Sequence, residues 1–211
     1  SLDESFQPGL GANNTVLAIA VHQAGQILIG GTCTTVDGQP HSGLARLRPD
    51  GTVDPAFQTD TANANVGFLG VEADGGIWVG GNFAHIAGVR SPNLARLHAD
   101  GSLDRTLTPA PITGGPYDYV NWVHRLADGR VLVGGHFESQ RPLGGQDQDL
   151  VRLNPDGRLD PSFNCELSGL FLSDAVVRPD GSILAGGMLH SWTGGRSEEH
   201  TSELQSRITS S

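Results

Sequence analysis

The chain has 211 residues, with thirty glycines, twelve prolines and 6% aromatics, a composition suited to many short strands joined by turns rather than to long helices. Its net charge of −10 comes from thirteen Arg, no Lys and 23 acidic residues, the reverse of the balance that neutralises phosphates, so DNA and RNA are set aside as partners. No run approaches the roughly 20 apolar residues of a membrane-spanning helix, so no membrane insertion is expected in this stretch.

Taken in chain order, Leu2-Asp3 opens a chain that starts at Ser1 without Met or a leader, which reads as a sequence continuing upstream. An apolar strand is predicted at Val16 to Val21, a turn at Ala24-Gly25, and a second strand at Gln26 to Gly31 that ends on Gly30-Gly31. The phrase LARL at Leu44 to Leu47 predicts a third strand. The turn Asp50-Gly51 and the pair Val53-Asp54 predict a fourth, ending in Asp-x-x-Phe at Phe57. An Asp-Gly dipeptide between apolar runs signals a hairpin with a positive-φ turn.

The same phrases return at intervals of 50 to 56 residues. Gly pairs recur at Gly80-Gly81, Gly134-Gly135 and Gly186-Gly187, LARL at Leu94 to Leu97, and LVRL at Leu150 to Leu153. Turns recur at Asp100-Gly101 and Asp156-Gly157, and also at Asp74-Gly75, Asp128-Gly129 and Asp180-Gly181 inside the first hairpin of each copy. The repeats run about 1–51, 52–101, 102–157 and 158–195. The second strand of each copy is continuously apolar, which implies burial on both faces. Four strands per repeat with both faces covered is the logic of an all-β propeller, here a fragment of about four tandem four-stranded antiparallel blades with the last incomplete. A β-solenoid fits less well, because its stacked parallel strands do not use Asp-Gly hairpins. Arg46 with Asp54, Arg96 with Asp104 and Arg152 with Asp160 are each eight residues apart across a turn, and a cross-strand ion pair is expected in each.

The combination LDxSF, an apolar strand, DGxILxGG and LARLxxDGxLD resembles the delta-60 repeat β-propeller, over nearly all of residues 1–195. The resemblance implies a bacterial propeller module within large extracellular or cell-surface proteins, and it carries no catalytic residues to transfer. Arg196 to Ser206 resembles the translation of a sequencing-adapter oligonucleotide, so residues 196–211 are set aside as a non-native tail.

Motifs of chemistry are absent: there is no HExxH, GxSxG, phosphate-binding loop or paired CxxC. Cys33 and Cys165 make no disulfide framework, and the recurring Asp residues are dispersed one per repeat instead of converging as calcium requires. No cofactor and no metal is expected. In an up-and-down blade the tight turns share one rim and the long connections share the other, where binding residues concentrate. The third copy has the longest connections on that second rim: Val120 follows Asp104 by sixteen residues, against thirteen from Asp3 to Val16, and Leu150 follows Gly135 by fifteen, against thirteen from Gly31 to Leu44. These insertions bring Tyr117, Asp118 and Tyr119 towards His136, Arg141, Asp147 and Asp149, with Trp192 bordering from the next copy. Such a mixture suits a protein, peptide, carbohydrate or cation ligand; drift in solvated loops is the alternative. The expected function is a non-catalytic binding scaffold of a secreted or cell-surface protein. An enzyme with His136 as base and Asp147 or Asp149 as its orienter is the second reading, and a structural spacer the third.

Overall fold

The computed structural model describes residues 5–7, 9–59, 65–107, 118–137, 148–163, 170–189 and 204–206. In the first repeat β1 (Val16–Val21) pairs with β2 (Ile27–Gly31), a small hairpin of β3 (Thr35–Val36) and β4 (Gln39–Pro40) follows, and β5 (Leu44–Leu47) returns to pair with β2. The second repeat reproduces this with β6 (Asn65–Val71), β7 (Ile77–Asn82), the hairpin β8 (His85–Ile86) and β9 (Val89–Arg90), and β10 (Leu94–Leu97). The third contains β11 (Tyr119–Arg125), β12 (Val131–Phe137) and β13 (Gln148–Leu153), and the fourth β14 (Leu170–Val177) and β15 (Ile183–Leu189). All of these pairings are antiparallel. Beside β15, in the place held by β5, β10 and β13, lies β16 (Leu204–Ser206), a segment of the tail that the sequence reading sets aside.

The fourth strand of each of the first three repeats is reduced to a single bridge, Leu47 with Val53, Leu97 with Leu103 and Leu153 with Leu159. The Asp-x-x-Phe ending explains why. Asp54 Oδ1 accepts the Ala56 N–H at 3.0 Å and the Asp54 carbonyl accepts the Phe57 N–H at 3.2 Å, so the chain turns as soon as the bridge is made. The turn drops Phe57, and likewise Phe163, into the core. The Asp-Gly hairpins also differ from a two-residue turn in which both residues take positive φ. Gly51, Gly101, Gly129, Gly157 and Gly181 are left-handed while the preceding Asp is not, which is a type I turn closed by a left-handed glycine. Each Asp carboxylate then accepts the N–H two residues on, as Asp50 does from Thr52 at 2.9 Å.

The glycine pairs are explained by two different contacts. Each first strand carries a β-bulge at the same point, between Val16 and Ala18, Val66 and Phe68, Val120 and Trp122, and Leu172 and Asp174. The bulge presses the carbonyl of Thr15, Asn65 or Tyr119 onto the second glycine, Gly31, Gly81 or Gly135, where a Cβ would collide with it. The first glycine makes room for the next sheet: a Cβ on Gly30 would lie 2.5 Å from Val66, and one on Gly80 2.8 Å from Val120.

Each sheet therefore packs face to face on its successor. Leu28 and Leu44 of the first sheet share a core with Val66, Leu69, Val79 and Leu97 of the second. Trp78 and Leu94 of the second meet Val120, Val133 and Leu153 of the third, and Trp122 and Leu132 of the third meet Leu172 and Ala175 of the fourth. The first strands β1, β6, β11 and β14 pack successively on one another, so the sheets fan around them. The expected ion pairs are formed: Arg46 Nε to Asp54 at 2.8 Å, Arg96 Nη1 to Asp104 at 2.7 Å and Arg152 Nε to Asp160 at 2.8 Å. In two of them the guanidinium also covers the phenyl ring of the repeat ending, Arg46 over Phe57 at 4.7 Å and Arg152 over Phe163 at 4.8 Å. All three pairs sit at the rim of the tight turns, which leaves the connections after β2, β7 and β12 to form the opposite rim.

Candidate functional site

On that opposite rim three positions recur at fixed register. The residue that enters the first strand is Thr15, Asn65 or Tyr119, and its partner just after the glycine pair is Thr32, Asn82 or His136. The residue that precedes LARL is Gly43, Asn93 or Asp149. In the first two repeats the last position makes a backbone turn, with Gly43 at φ 75 and Asn93 at φ 64. In the third, strand β13 begins earlier, at Gln148, so the position lies inside a strand and its carboxylate is carried to the sheet edge. A register shift between Gly134 and Phe137 sets Asp149 against His136.

The result is one cluster unlike its counterparts. His136 Nδ1 lies 3.6 Å from Asp149 Oδ1, and the His136 and Tyr119 rings are 6.0 Å apart and tilted by 43°. Asp149 is 1% exposed and Asp118 is also buried, whereas the His136 side chain is 27% exposed and Tyr119 is half-buried. Burial, and then the Asp149 charge, push the Tyr119 hydroxyl above the usual tyrosine range, so it stays protonated. Asp118, His136 and Asp149 each have further polar or ring interactions. The neighbouring repeat is fastened to this cluster, because Asn82 Nδ2 donates to the Asp118 carbonyl at 2.6 Å.

Of the residues expected at this site, Tyr119, His136 and Asp149 are brought together and Asp118 is packed beside them. Tyr117, Arg141, Asp147 and Trp192 lie outside the described residues. The sequence reading overlooked Asn65 and Asn82, although their register is the same as that of Tyr119 and His136; aligning the rim positions repeat by repeat reveals them. Among the described residues no three His, Cys, Asp or Glu side chains converge as metal ligands. Cys33 is buried in the connection between β2 and β3, and burial pushes its thiol up, away from nucleophilic use.

None of the curated proteins matches the chain. Among solved structures, the extracellular domain of the one component system BT4673 from B. thetaiotaomicron is similar at 16% identity and a TM-score of 0.46, over 86% of this chain and 21% of that one. The extracellular domain of the hybrid two component system BT3049 from the same organism is similar at 12% identity and a TM-score of 0.25, over 82% of this chain and 20% of that one. The chain thus spans about a fifth of the length of either. Among the described residues no helix is long and apolar enough to cross a membrane. Residues 25–57, 72–107 and 126–163, just over half of the sequence, match the family described as "Domain of unknown function (DUF5122) beta-propeller", and with its glycine-paired, face-packed sheets the chain belongs to that family.

Proposed function

We propose that this chain is a non-catalytic binding module of an extracellular or cell-surface protein, and that it takes its ligand on the long-connection rim of the third repeat. One observation carries the reading. At three register positions where the first repeat has Thr15, Thr32 and Gly43, the third has Tyr119, His136 and Asp149, with His136 within reach of both others, its ring 6.0 Å from the Tyr119 ring and its Nδ1 3.6 Å from Asp149. Replacement of small turn residues by an aromatic, an imidazole and a buried carboxylate is not required by the packing of the sheets, which the other repeats achieve without them.

The test is a binding screen of the full chain on peptide, protein and glycan arrays, repeated with Tyr119→Ala, His136→Ala and, on the tight-turn rim, Arg158→Ala. Binding that is lost in the first two and kept in the third supports the reading. Binding that depends on Arg158 and not on Tyr119 removes it.

A second reading is favoured by the His136–Asp149 approach, since a buried carboxylate behind an imidazole is the arrangement of a general base and its orienter. Turnover of a bound ligand that is abolished by Asp149→Asn would replace the binding module with an enzyme.

A further inference from the structure

We infer that the first sheet takes the fourth sheet of a second copy of this chain against its open face, so that two copies join by the same contact that stacks the repeats within one. The surface lies away from the ligand rim and stands independently of the binding reading above. Inside the chain the contact is made three times by one pair of register positions. A first-strand residue beside the bulge enters the space left by the first glycine of the preceding sheet: Val66 over Gly30, Val120 over Gly80 and Leu172 over Gly134. All three side chains are fully buried. Three residues further along, Leu69, Val123 and Ala175 are buried against the preceding sheet as well.

Both members of a fourth such contact are present and unfilled. In the first sheet Val16, Ile19 and Val21 hold the positions of Val66, Leu69 and Val71, and they are 36%, 69% and 71% exposed. In the fourth sheet Gly186 holds the position of Gly30, Gly80 and Gly134, and among the described residues a Cβ on it meets nothing within 4 Å. Val176, 58% exposed, and half-buried Leu184 lie on the same face as Gly186. Single exposed apolar side chains are ordinary, but a set of them on one sheet face marks an interaction surface. Both faces are open in the same copy, so the first and fourth sheets of one chain do not cover each other.

Shape identifies the occupant. A bare apolar face accepts any apolar partner, whereas a glycine hole beside Val176 and Leu184 fits a branched side chain at the bulge of an incoming first strand, and Val16 is that side chain. The outer half of the accepting face is already built. Phe6, in the place of Phe57 and Phe163, packs with Ala12 against Ile29, Ala45 and Leu47, and the Gln7 N–H donates to the Asp50 carbonyl at 2.7 Å. The inner half, along β1, is left open. Asp174 brings a carboxylate to the face of the fourth sheet, where it accepts the Ala175 N–H at 2.8 Å. Contacts between unlike faces close into rings or run on as chains according to the rotation at each step. Two copies bring eight such sheets, within the roughly four to eight of known propellers.

The experiment is sedimentation velocity on the full 211-residue chain, from about 1 μM to about 0.5 mM, with Ile19→Asp and Gly186→Ala alongside. The expected result is reversible association of the unaltered chain, half-dissociated at about 100 μM or below, in pairs or a longer series, and weakened about tenfold or more by each variant. Ile19→Asp sets a charge on one face, and Gly186→Ala fills the hole on the other. Gly186→Ala separates docking from plain stickiness, because it adds a methyl group to an apolar face and would strengthen non-specific association. Neither position is packed against another sheet within a single copy, so urea midpoints at about 1 μM are expected to match the unaltered chain and show that both variants fold. A chain that stays monomeric up to about 0.5 mM overturns the proposal. Association that survives Gly186→Ala overturns it too; if Ile19→Asp then abolishes that association, the first-sheet faces meet one another instead.

Discussion

The guanidinium of Arg46 in the first repeat donates from Nη1 to the carbonyl of Ala99 in the second, at 2.6 Å, while its Nε holds Asp54. One side chain thereby ties its own last strand to the turn of the next repeat. His22 makes a parallel tie, with Nε2 3.1 Å from the Gly75 carbonyl, and Arg125 of the third repeat reaches Glu72 of the second at 3.3 Å. The tight-turn rim is therefore an arrangement of latches between neighbours.

Removal of Arg46 strips the buried Asp54 of its hydrogen-bonded cation and frees the Ala99 carbonyl. Arg46→Ala is expected to lower the unfolding free energy by about 3 kcal/mol in urea titrations, because a buried charge stripped of its partner costs more than the pair contributes. Arg158, 83% exposed beside Asp156 on the same rim, provides the contrast, and Arg158→Ala is expected to change stability by less than about 0.5 kcal/mol.

Acid should loosen the same rim. Burial alone would push the Asp104 carboxyl up, but the Thr106 hydroxyl, Arg96 and the Thr106 N–H outweigh it and hold it down at about 2, from an ordinary 3.8. Asp160 is likewise held at about 2, with Ser162 and Arg152 overcoming burial. Both carboxyls bind protons less readily folded than unfolded, so their contribution is complete above roughly pH 5 and disappears as pH falls through 4 towards 2. Thermal melts between pH 6 and pH 2 should show this loss, and Asp104→Asn should flatten the acid limb while lowering stability at pH 6. An unchanged acid limb in Asp104→Asn would mean that other groups drive the loss.

Two alanines occupy left-handed backbone in tight turns, Ala24 at φ 54 and Ala87 at φ 49, each followed by a left-handed glycine. Asn tolerates this conformation better than Ala. Ala87→Asn, at the turn between β8 and β9, is expected to raise stability by about 0.5–1 kcal/mol, read as a higher midpoint in urea with an unchanged slope. A lower midpoint would count against the turn geometry.

Register equivalence between repeats can be tested by one pair of substitutions. Leu69 is 8% exposed against the first sheet, whereas Ile19, at the same position of the first repeat, is 69% exposed. In the 211-residue chain Leu69→Ala is expected to cost about 2–4 kcal/mol and Ile19→Ala less than about 0.5. Equal costs would show that the sheets do not stack in the order described.

Much of this architecture is legible in the residues because the repeats say the same thing three or four times over. The apolar triplets before the glycine pairs, the LARL strand and the eight-residue Arg–Asp spacing all specify local contacts, and local contacts follow from spacing. What the sequence hid was non-local or small. The reason for the second glycine lies in the carbonyl of Thr15, Asn65 or Tyr119 across a bulge, a contact no alternation pattern marks. The hairpins β3–β4 and β8–β9 rest on two-residue strands, too short for a periodic signal, although Asp37-Gly38 advertises the first of the turns. At the candidate site the long connections of the third repeat pointed to Tyr119, His136 and Asp149. The pairing of Asn82 with Asp118 depends on how two repeats pack, and no insertion length discloses that.

The stacking that creates the seam is tested most directly at the first glycine of each pair. A Cβ on Gly80 would lie 2.8 Å from Val120 Cγ1 and 3.1 Å from the Val120 carbonyl, whereas one on Gly186, the equivalent position in the fourth repeat, meets nothing within 4 Å. Side-by-side urea unfolding of Gly80→Ala and Gly186→Ala should show Gly80→Ala destabilised by about 2 kcal/mol or more and Gly186→Ala unchanged or slightly more stable. If both are tolerated equally, the second and third sheets are not packed face to face, and the seam that holds Asn82 against the Asp118 carbonyl does not exist.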